Sequence, residues 1–465
     1  MKHFKLVALL CLVFVMAITA VACGGDDATK TTTEASTTNQ PTGSDSAVTT
    51  TAAETQPGET TAVTTVATTA TGSTAETTAA VTTATVTTAT TAVITTAAPE
   101  TTAAPAKFDS LKIGETPISD YTIVYAKSPY ASYLKISTTK EYFPVYDFDH
   151  ETADRLAALI YQVSGVQLEV VEDKATNETA NEILIGKTNR TLTGGPDLDS
   201  LKTDNYVVNV VGSKLVICGK EYGNTWHAID YFETIFAEKL SNKETSFSFA
   251  NDFLYNGNYH LTVIGCIGDS ITQGVGSSGD LYNYPAQLGR YLWKDAKVLN
   301  FGNSGKTMRT DLSDSYKATG TYQNALRAAT QVDIFTIMLG TNDSNRDQNW
   351  TTDDSALYNQ SCLDIVSSLY AKNENLQFVI ANCPAYFGTA AFGSATVRAL
   401  QAKLVPTLND AGYTTTFFDM YSVTKTMRSY YPDQLHPNDM GHMKMAEAFA
   451  VALQELITPT VAEAK

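Results

Sequence analysis

The chain has 465 residues and a net charge of −17, and 43% of its residues are hydrophobic. An acidic chain of this kind lacks the clustered lysine and arginine that bind phosphate backbones, which argues against a nucleic-acid partner. The hydrophobic content excludes disorder of the whole chain, and six cysteines in this length exclude a small disulfide-stapled domain. At roughly 100 to 200 residues per domain, we expect two or three domains.

The first residues have the pattern of a secretory signal. A short basic segment precedes an apolar run over residues 6–18, which is too short for a permanent membrane span. The run Ala-Val-Ala-Cys at residues 20–23 is similar to a bacterial lipobox, which predicts a signal peptide over residues 1–22 and a lipid on Cys23. The same small residues also fit ordinary signal cleavage. We therefore expect an exported protein at the bacterial cell surface, held to the membrane by a lipid anchor only, or else secreted.

Residues 23–106 consist almost entirely of Thr, Ala, Val, Ser and scattered acidic residues in loose repeats. Such a segment lacks the aromatic and large aliphatic side chains that would offset the entropy cost of ordering it. We therefore predict a disordered linker that follows the lipidated cysteine and carries the folded regions.

Residues 107–257 are predicted to form a small α+β accessory domain. Asp149 can cap a helix that ends at Gly165, and a second helix carries the aromatic residues around Phe232. Short β-type segments lie at residues 168–171, 182–185, 207–211 and 215–218, and a Gly-Ser turn between the last two is typical of a hairpin. The sequence indicates no catalytic constellation in this region.

Residues 258–458 alternate strand and helix patterns. Continuous apolar strands are predicted at residues 261–267, 297–301, 333–339, 376–381 and 413–418, and helices include 285–293, 356–370 and 439–453. Unbroken apolar strands separated by amphipathic helices are typical of a parallel sheet covered on both faces. We therefore predict an α/β fold, a three-layer α/β/α sandwich with a parallel five-stranded sheet, followed by a short tail at residues 459–465.

Residues suited to acyl transfer follow two strands of this predicted sheet. Ligands bind beyond the carboxyl ends of such strands. Ser270 follows the first strand and can act as a nucleophile if a base takes its proton. His436, after the fifth strand, can be that base, and Asp433 three residues earlier can fix the imidazole tautomer. These residue types predict a Ser-His-Asp triad.

The tetrahedral intermediate of acyl transfer also needs hydrogen-bond donors at its oxyanion. The backbone N–H groups of Ser270 and Gly305 and the side-chain amide of Asn342 can supply three, because they follow three of the predicted strands. The sequence therefore predicts an oxyanion hole built from these residues.

Four sequence blocks in this region resemble those of the SGNH hydrolases, also called the GDSL esterase family. The blocks are Ile267-Gly-Asp-Ser-Ile-Thr272, Asn300-Phe-Gly-Asn-Ser-Gly305, Leu339-Gly-Thr-Asn-Asp343 and Asp433-x-x-His436-Pro437. The resemblance covers about residues 260–458. It implies a flavodoxin-like fold, an ester hydrolase that needs no cofactor, and the roles already given to Ser270, Gly305, Asn342 and His436. Ile271 departs from the leucine of the family name, a swap that conserves volume.

The accessory region is similar to the small α/β domain that precedes the catalytic barrel of bacterial hexosaminidase-type glycosidases. The matching stretches are residues 180–189 and the hairpin leading to residues 215–219. No barrel follows here, so the resemblance implies an accessory role beside a carbohydrate-active domain.

No metal site is predicted. The rhythm Asp343-x-Asn345-x-Asp347 opens like a calcium loop, but Gln348 stands where such a loop needs its turn glycine. His442 follows His436 by six residues, yet its place in a predicted helix favours a packing role.

The substrate is less well specified than the chemistry. Tyr284, Trp350 and Tyr386 are candidate substrate contacts, since aromatic rings can stack on sugars or simply pack. Export, the glycosidase-like neighbour and the similarity of residues 337–344 to sialate and xylan acetylesterases favour an acetylated polysaccharide or oligosaccharide. The alternatives are an acyl lipid or thioester as substrate, and a non-catalytic glycan-binding surface protein. No protein partner is predicted.

Overall fold

The computed structural model of the chain describes residues 106–129, 146–346 and 349–457. The predicted signal peptide, Cys23, the linker up to residue 105 and the tail at residues 459–465 lie outside these ranges. In the part that is described, no helix combines the length and apolarity needed to cross a membrane.

The accessory region contains one large sheet, one small sheet and two helices. Its elements are β1 (Ser110–Ile113), β2 (Thr116–Pro117), β3 (Thr122–Tyr125), α1 (Phe148–Ser164), β4 (Val170–Glu172), β5 (Glu182–Ile185), β6 (Asn205–Val211), β7 (Lys214–Gly219), α2 (Tyr222–Ser241), β8 (Ser246–Phe249) and β9 (Leu254–Asn258). The large sheet has the order β4-β3-β5-β7-β6-β9, in which the first four strands are parallel. The sequence patterns did not predict β3. This strand pairs in parallel with both β4 and β5, so the α+β region contains a set of parallel strands.

Local turn chemistry explains the ends of several of these elements. Gly212, at φ +62, closes the predicted hairpin between β6 and β7. Gly165 ends α1 in the left-handed conformation at φ +78, which costs glycine little because it has no Cβ. The prediction that Asp149 caps α1 is wrong: Asp147 is the cap, and Asp149 is the second helical residue.

The second region is a doubly wound parallel sheet. Its elements are β10 (Thr262–Gly268), α3 (Ser270–Gln273), α4 (Tyr284–Tyr291), β11 (Ala296–Gly302), α5 (Gly320–Ala328), β12 (Ile334–Met338), α6 (Asp343–Arg346), α7 (Thr352–Tyr370), β13 (Gln377–Ala381), α8 (Ala395–Asp410), β14 (Thr414–Phe418), α9 (Met420–Thr424) and α10 (Asp439–Leu453). The order β11-β10-β12-β13-β14 is that of flavodoxin-like folds. All four strand pairs are parallel.

Apolar side chains on the two faces of this sheet form two separate cores. Phe335 of β12 packs into the core that contains residues of α5, α7 and α8. Its neighbour Ile334 faces the opposite core, which contains residues of α4 and α10. Alternate residues of one strand therefore serve both layers, and the predicted three-layer α/β/α sandwich with five parallel strands is confirmed.

The two regions are packed against each other. The rings of Trp226 and Trp293 meet edge to face at 5.5 Å, and Glu221 pairs with Lys297. Leu261, at the start of the second region, is buried in the core of the first. The connection is therefore a packed junction.

Candidate active site

Ser270 is the first residue of the short helix α3, two residues after the end of strand β10. Asp269 caps this helix by accepting a hydrogen bond from the backbone N–H of Ile271 at 3.0 Å. Residue 268, the last residue of β10, must be glycine, because a Cβ there would lie 2.0 Å from Oγ1 of Thr272. This tight turn holds the serine at the carboxyl end of the strand.

Ser270, His436 and Asp433 are joined by hydrogen bonds. Nε2 of His436 lies 2.9 Å from Oγ of Ser270, and Nδ1 of His436 lies 2.6 Å from Oδ2 of Asp433. With the proton on Nδ1, the ring donates to the carboxylate and leaves Nε2 free to accept the serine O–H. The three residues therefore have the contacts of a nucleophile, its base and the group that orients the base.

Asp433 also holds the backbone of its own turn. Its Oδ1 accepts the N–H groups of Leu435 at 2.9 Å and His436 at 2.7 Å. Partial burial opposes the charge of this carboxyl, but the hydrogen bonds from His436 and Leu435 leave the pKa of Asp433 below its usual value. The carboxylate is thus kept ionised beside the imidazole.

The predicted oxyanion donors follow neighbouring strands. Gly305 lies on the loop after β11 at φ +74, and Asn342 follows β12; both strands flank β10 in the sheet. Nδ2 of Asn342 donates one hydrogen bond to the carbonyl of Lys306 at 3.0 Å. An amide nitrogen carries two protons, so the second remains for an oxyanion. The fold therefore brings Ser270, Gly305 and Asn342 to the same edge of the sheet.

Asp343 supports this loop, a role that the sequence analysis missed. Its oxygens accept the backbone N–H groups of Met308 and Arg309, each at 2.9 Å. Complete burial raises the pKa of Asp343 to about 6, against the lowering effect of these hydrogen bonds. Asp343 directly follows Asn342, so these hydrogen bonds hold the segment after Gly305 close to Asn342. The sequence signal for this supporting role was the position of Asp343 directly after Asn342.

A glycine-rich loop packs against the base. Gly276 lies at φ +94, and a Cβ there would come within 2.4 Å of the Pro437 carbonyl and 3.0 Å of Cβ of His436. His442 of α10 contacts both this loop and the helix after it: its Nε2 lies 3.3 Å from the Val275 carbonyl, and its Nδ1 accepts the N–H of Tyr284, the first residue of α4. Burial lowers the pKa of His442 to about 4, so this imidazole is neutral.

The three candidate substrate contacts have different surroundings. The prediction for Tyr284 is wrong, because its ring is fully buried in the core and its hydroxyl pairs with Oγ1 of Thr272 at 3.0 Å. Trp350 is half-buried and donates its indole N–H to Ser355 at 2.9 Å. Tyr386 is half-buried. It lies on a loop in which the N–H of Phe387 donates a hydrogen bond to the Gln434 carbonyl. Of the three, Tyr386 lies on the loop in contact with the Asp433–His436 turn.

Two further features of the structure concern metal ions and thiols. Across residues 106–129, 146–346 and 349–457, no group of three or more His, Cys, Asp or Glu side chains could hold a metal ion. Cys218, Cys266, Cys362 and Cys383 are free and buried. Burial raises the pKa of each of these four thiols to about 12, which makes them inert at neutral pH.

Residues 266–444 match the GDSL-like Lipase/Acylhydrolase family. The match spans the strand before Ser270, the segments of Gly305 and Asn342, and the turn of His436. This part of the chain is therefore a GDSL-like lipase/acylhydrolase domain, and the resemblance predicted from the four blocks is confirmed.

One curated relative and several solved structures are similar to the chain. An acetylxylan esterase of Xylanibacter ruminicola is 41% identical over 88 residues, which cover 19% of this chain and 18% of that protein. The chain thus spans about a fifth of that relative's length. A carbohydrate acetylesterase family member from Sinorhizobium meliloti is 20% identical with a TM-score of 0.34, covering 42% of this chain and 99% of the other. A family two carbohydrate esterase from Clostridium thermocellum is 19% identical with a TM-score of 0.32, covering 44% and 68%.

Proposed function

We propose that this chain is a serine ester hydrolase that removes O-acetyl groups from carbohydrate. The observation that carries the proposal is the hydrogen-bonded chain from Oγ of Ser270 through His436 to Asp433, at the sheet edge where Gly305 and Asn342 supply donors. The family of residues 266–444 supports the same class of chemistry.

The proposed reaction has two acyl-transfer steps. Oγ of Ser270 attacks the acetyl carbonyl while Nε2 of His436 takes the serine proton, and the carbonyl oxygen becomes an oxyanion. The backbone N–H groups of Ser270 and Gly305 and the free N–H of Asn342 stabilise that charge. Collapse of the intermediate breaks the ester C–O bond, and the departing sugar oxygen takes the proton from His436 and leaves as a hydroxyl group. Water then attacks the acetyl-serine in the same way, so acetate leaves and Ser270 is regenerated.

The carbohydrate part of the proposal has separate support. A relative that is 41% identical over 88 residues is an acetylxylan esterase, and residues 107–257 resemble an accessory domain of glycosidases. Acetylated xylan is therefore the first polymer to test. An acyl lipid or thioester is the rival substrate class for the same triad.

We also propose that the chain is exported and anchored at the bacterial cell surface through a lipid on Cys23. The support is the basic segment, the apolar run and the lipobox-like residues of the N-terminus. Replacing Cys23 with serine should move the protein from the membrane fraction to the soluble fraction of an expressing bacterium. Equal membrane association of both forms would contradict lipid anchoring.

Acetate release from acetylated xylan tests the activity, with the Ser270→Ala protein measured in parallel. We expect release by the wild-type chain and a loss of several powers of ten in the variant. A series of p-nitrophenyl esters from acetyl to octanoyl distinguishes an acetylesterase from an enzyme for acyl lipids, because the latter should prefer the longer acyl chains. Undiminished release by Ser270→Ala would refute the proposed mechanism.

A further inference from the structure

A second cleft opens in the accessory region, at the carboxyl edge of its parallel strands. It has a volume of about 320 Å³, at the lower end of the range for small-ligand pockets. Its lining includes residues that directly follow β3, β5 and β7, and residues at the starts of α1 and α2. Nothing in the proposed ester hydrolysis uses this cleft.

The strand order makes this edge a switch point. After β3, the chain forms β4 on one side of that strand, whereas the following strand β5 pairs on its other side. In parallel α/β sheets, ligands bind in the crevice outside the carboxyl ends of strands where the order reverses. The cleft lies at that place in the fold.

A buried carboxyl without a full set of partners faces the cleft. Asp149 is only 2% exposed, and its Oδ1 has no hydrogen-bond partner among the described residues. Gly186 makes room for it: a Cβ at this position would lie 2.2 Å from Oδ2 of Asp149. A buried polar atom left unpaired is costly, so its place in the lining of a cleft indicates a missing hydrogen-bonding ligand.

The cleft is locally basic in an acidic chain. Lys127, Lys187 and Lys220 belong to its lining, whereas the chain carries a net charge of −17. Lys127 pairs with Glu172 and Lys187 with Asp199, each at 2.7 Å, and these carboxylates lie outside the lining. The lining thus holds three lysines and one further acidic residue, Glu221, which pairs with Lys297 outside the lining.

Asp149 adds a hydrogen-bonding partner of another kind. Burial, together with the nearby Asp147 and Asp173, raises the pKa of Asp149 well above its usual range, which favours the protonated carboxyl. A neutral carboxyl both donates and accepts, which suits a hydroxyl group. Tyr222 adds an aromatic ring to the lining. The surroundings thus fit a molecule that carries hydroxyl groups and a negative charge.

We propose that this cleft binds an acidic sugar residue, with the carboxylate of a uronic acid facing Lys127, Lys187 and Lys220 and a hydroxyl group bonded to Asp149. The anionic character follows from the three lysines. The choice of a sugar rests on the proposed function, in which the neighbouring domain acts on carbohydrate. Binding here would hold an acidic polysaccharide while its acetyl groups are removed at Ser270.

Calorimetric titration of the full chain with glucuronate tests the proposal, with glucose and inorganic phosphate as comparison ligands. We expect saturable binding of glucuronate to one site, and binding of glucose and phosphate weaker by about tenfold or more. The double variant Lys187→Gln, Lys220→Gln should weaken glucuronate binding by about tenfold or more. The matched control is Lys174→Gln, which neutralises an exposed lysine outside the cleft.

The buried acid is tested by Asp149→Asn, which keeps the size of the side chain. We expect weaker glucuronate binding at an unchanged thermal midpoint; should this variant fail to fold, the lysine variants decide alone. Phosphate binding as tightly as glucuronate in this cleft would overturn the sugar assignment. Failure of glucuronate to bind, or binding that the lysine double variant leaves unchanged, would overturn the site.

The same preparations separate this proposal from the proposed function. Ester turnover without glucuronate binding would refute the cleft and leave the esterase. Glucuronate binding that depends on the lysines, without ester turnover, would support the cleft and refute the esterase. The lysine variants should retain turnover of small acetyl esters, because none of their side chains belongs to the candidate active site.

Discussion

Individual side chains in the candidate active site are held by more than one hydrogen bond. Asp433 is an example: one oxygen accepts two backbone N–H groups, and the other accepts the ring N–H of His436. Its side chain is 56% exposed, so water screens much of its charge. Orientation of the imidazole is therefore its main contribution.

The substitution Asp433→Asn tests this role. Asparagine keeps the size and can still accept the backbone N–H groups, but its NH₂ group cannot accept the ring N–H and so favours the wrong tautomer. We expect kcat to fall by roughly 10² to 10⁴ with little change in KM. Steady-state kinetics on an acetyl ester measures both constants, and an unchanged kcat would contradict the role.

The side-chain amide of Asn342 is tested by replacement with alanine. Loss of one oxyanion donor should lower kcat by roughly 10² to 10³. The matched control is Asn382→Ala: both asparagines are 6% exposed and follow strands of the same sheet, but Asn382 bonds Asp419 and Tyr421. Similar losses of kcat in both variants would contradict an oxyanion role for Asn342.

Between elements, the position of the base depends on the loop that packs against it. Gly276 on this loop leaves no room for a side chain beside His436 and Pro437. His442 of α10 contacts this loop at the Val275 carbonyl and also accepts the N–H of Tyr284, the first residue of α4. A loop without triad residues therefore sets the distance between the imidazole and Ser270.

Gly276→Ala should lower kcat, because the new Cβ displaces His436 from Ser270. We expect a loss of about tenfold or more, measured well below the thermal midpoint, together with backbone strain of about 1 kcal/mol. Gly212→Ala is the matched control for strain: its φ is also positive, but nothing lies within 4 Å of its Cβ position. If both variants keep the wild-type kcat, the loop does not position the base.

The elements with strong patterns were predictable from the sequence, and those fixed by distant contacts were not. Residues 439–453 were predicted as a helix with the bounds of α10, because caps and periodicity are local signals. β3 was missed because its four residues gain their identity from pairing with β4 and β5. Tyr284 was misassigned because an aromatic residue near a site in sequence can face the core instead. The role of Asp343 depends on backbone groups more than 30 residues away.

At the scale of the whole molecule, two histidines lie at the junction of its two regions. His260 bridges Asp204 at 2.9 Å and Asp333 at 3.1 Å, and His227 contacts Asp230 at 2.7 Å and Asp295 at 3.5 Å. Each therefore joins carboxylates from both regions. Burial opposes the charged imidazolium, but the hydrogen bonds and charges of these acids raise the pKa of both histidines.

These shifts predict a pH dependence of stability. A histidine whose pKa is raised on folding contributes stability that is complete below its unfolded pKa, about 6.5, and that is lost as pH rises through the folded pKa. The free energy of unfolding should therefore fall as pH rises above about 6.5, measured by urea denaturation. The fall should be smaller in the double variant His227→Gln, His260→Gln and unchanged in His150→Gln, a half-exposed histidine whose ring contacts Asp154 and Tyr125 of its own region. An identical slope in the double variant would contradict this account.

The central claim is that Ser270 is a nucleophile activated by His436, and covalent labelling tests it most directly. The full chain is treated with a fluorophosphonate, which reacts with activated serines, and the modified peptide is identified by mass spectrometry. We predict one adduct, on Ser270, that forms in parallel with loss of acetyl-ester turnover and is absent from His436→Ala after the same exposure. Turnover lost through an adduct at another residue, or equal labelling of Ser270 without His436, would contradict the claim.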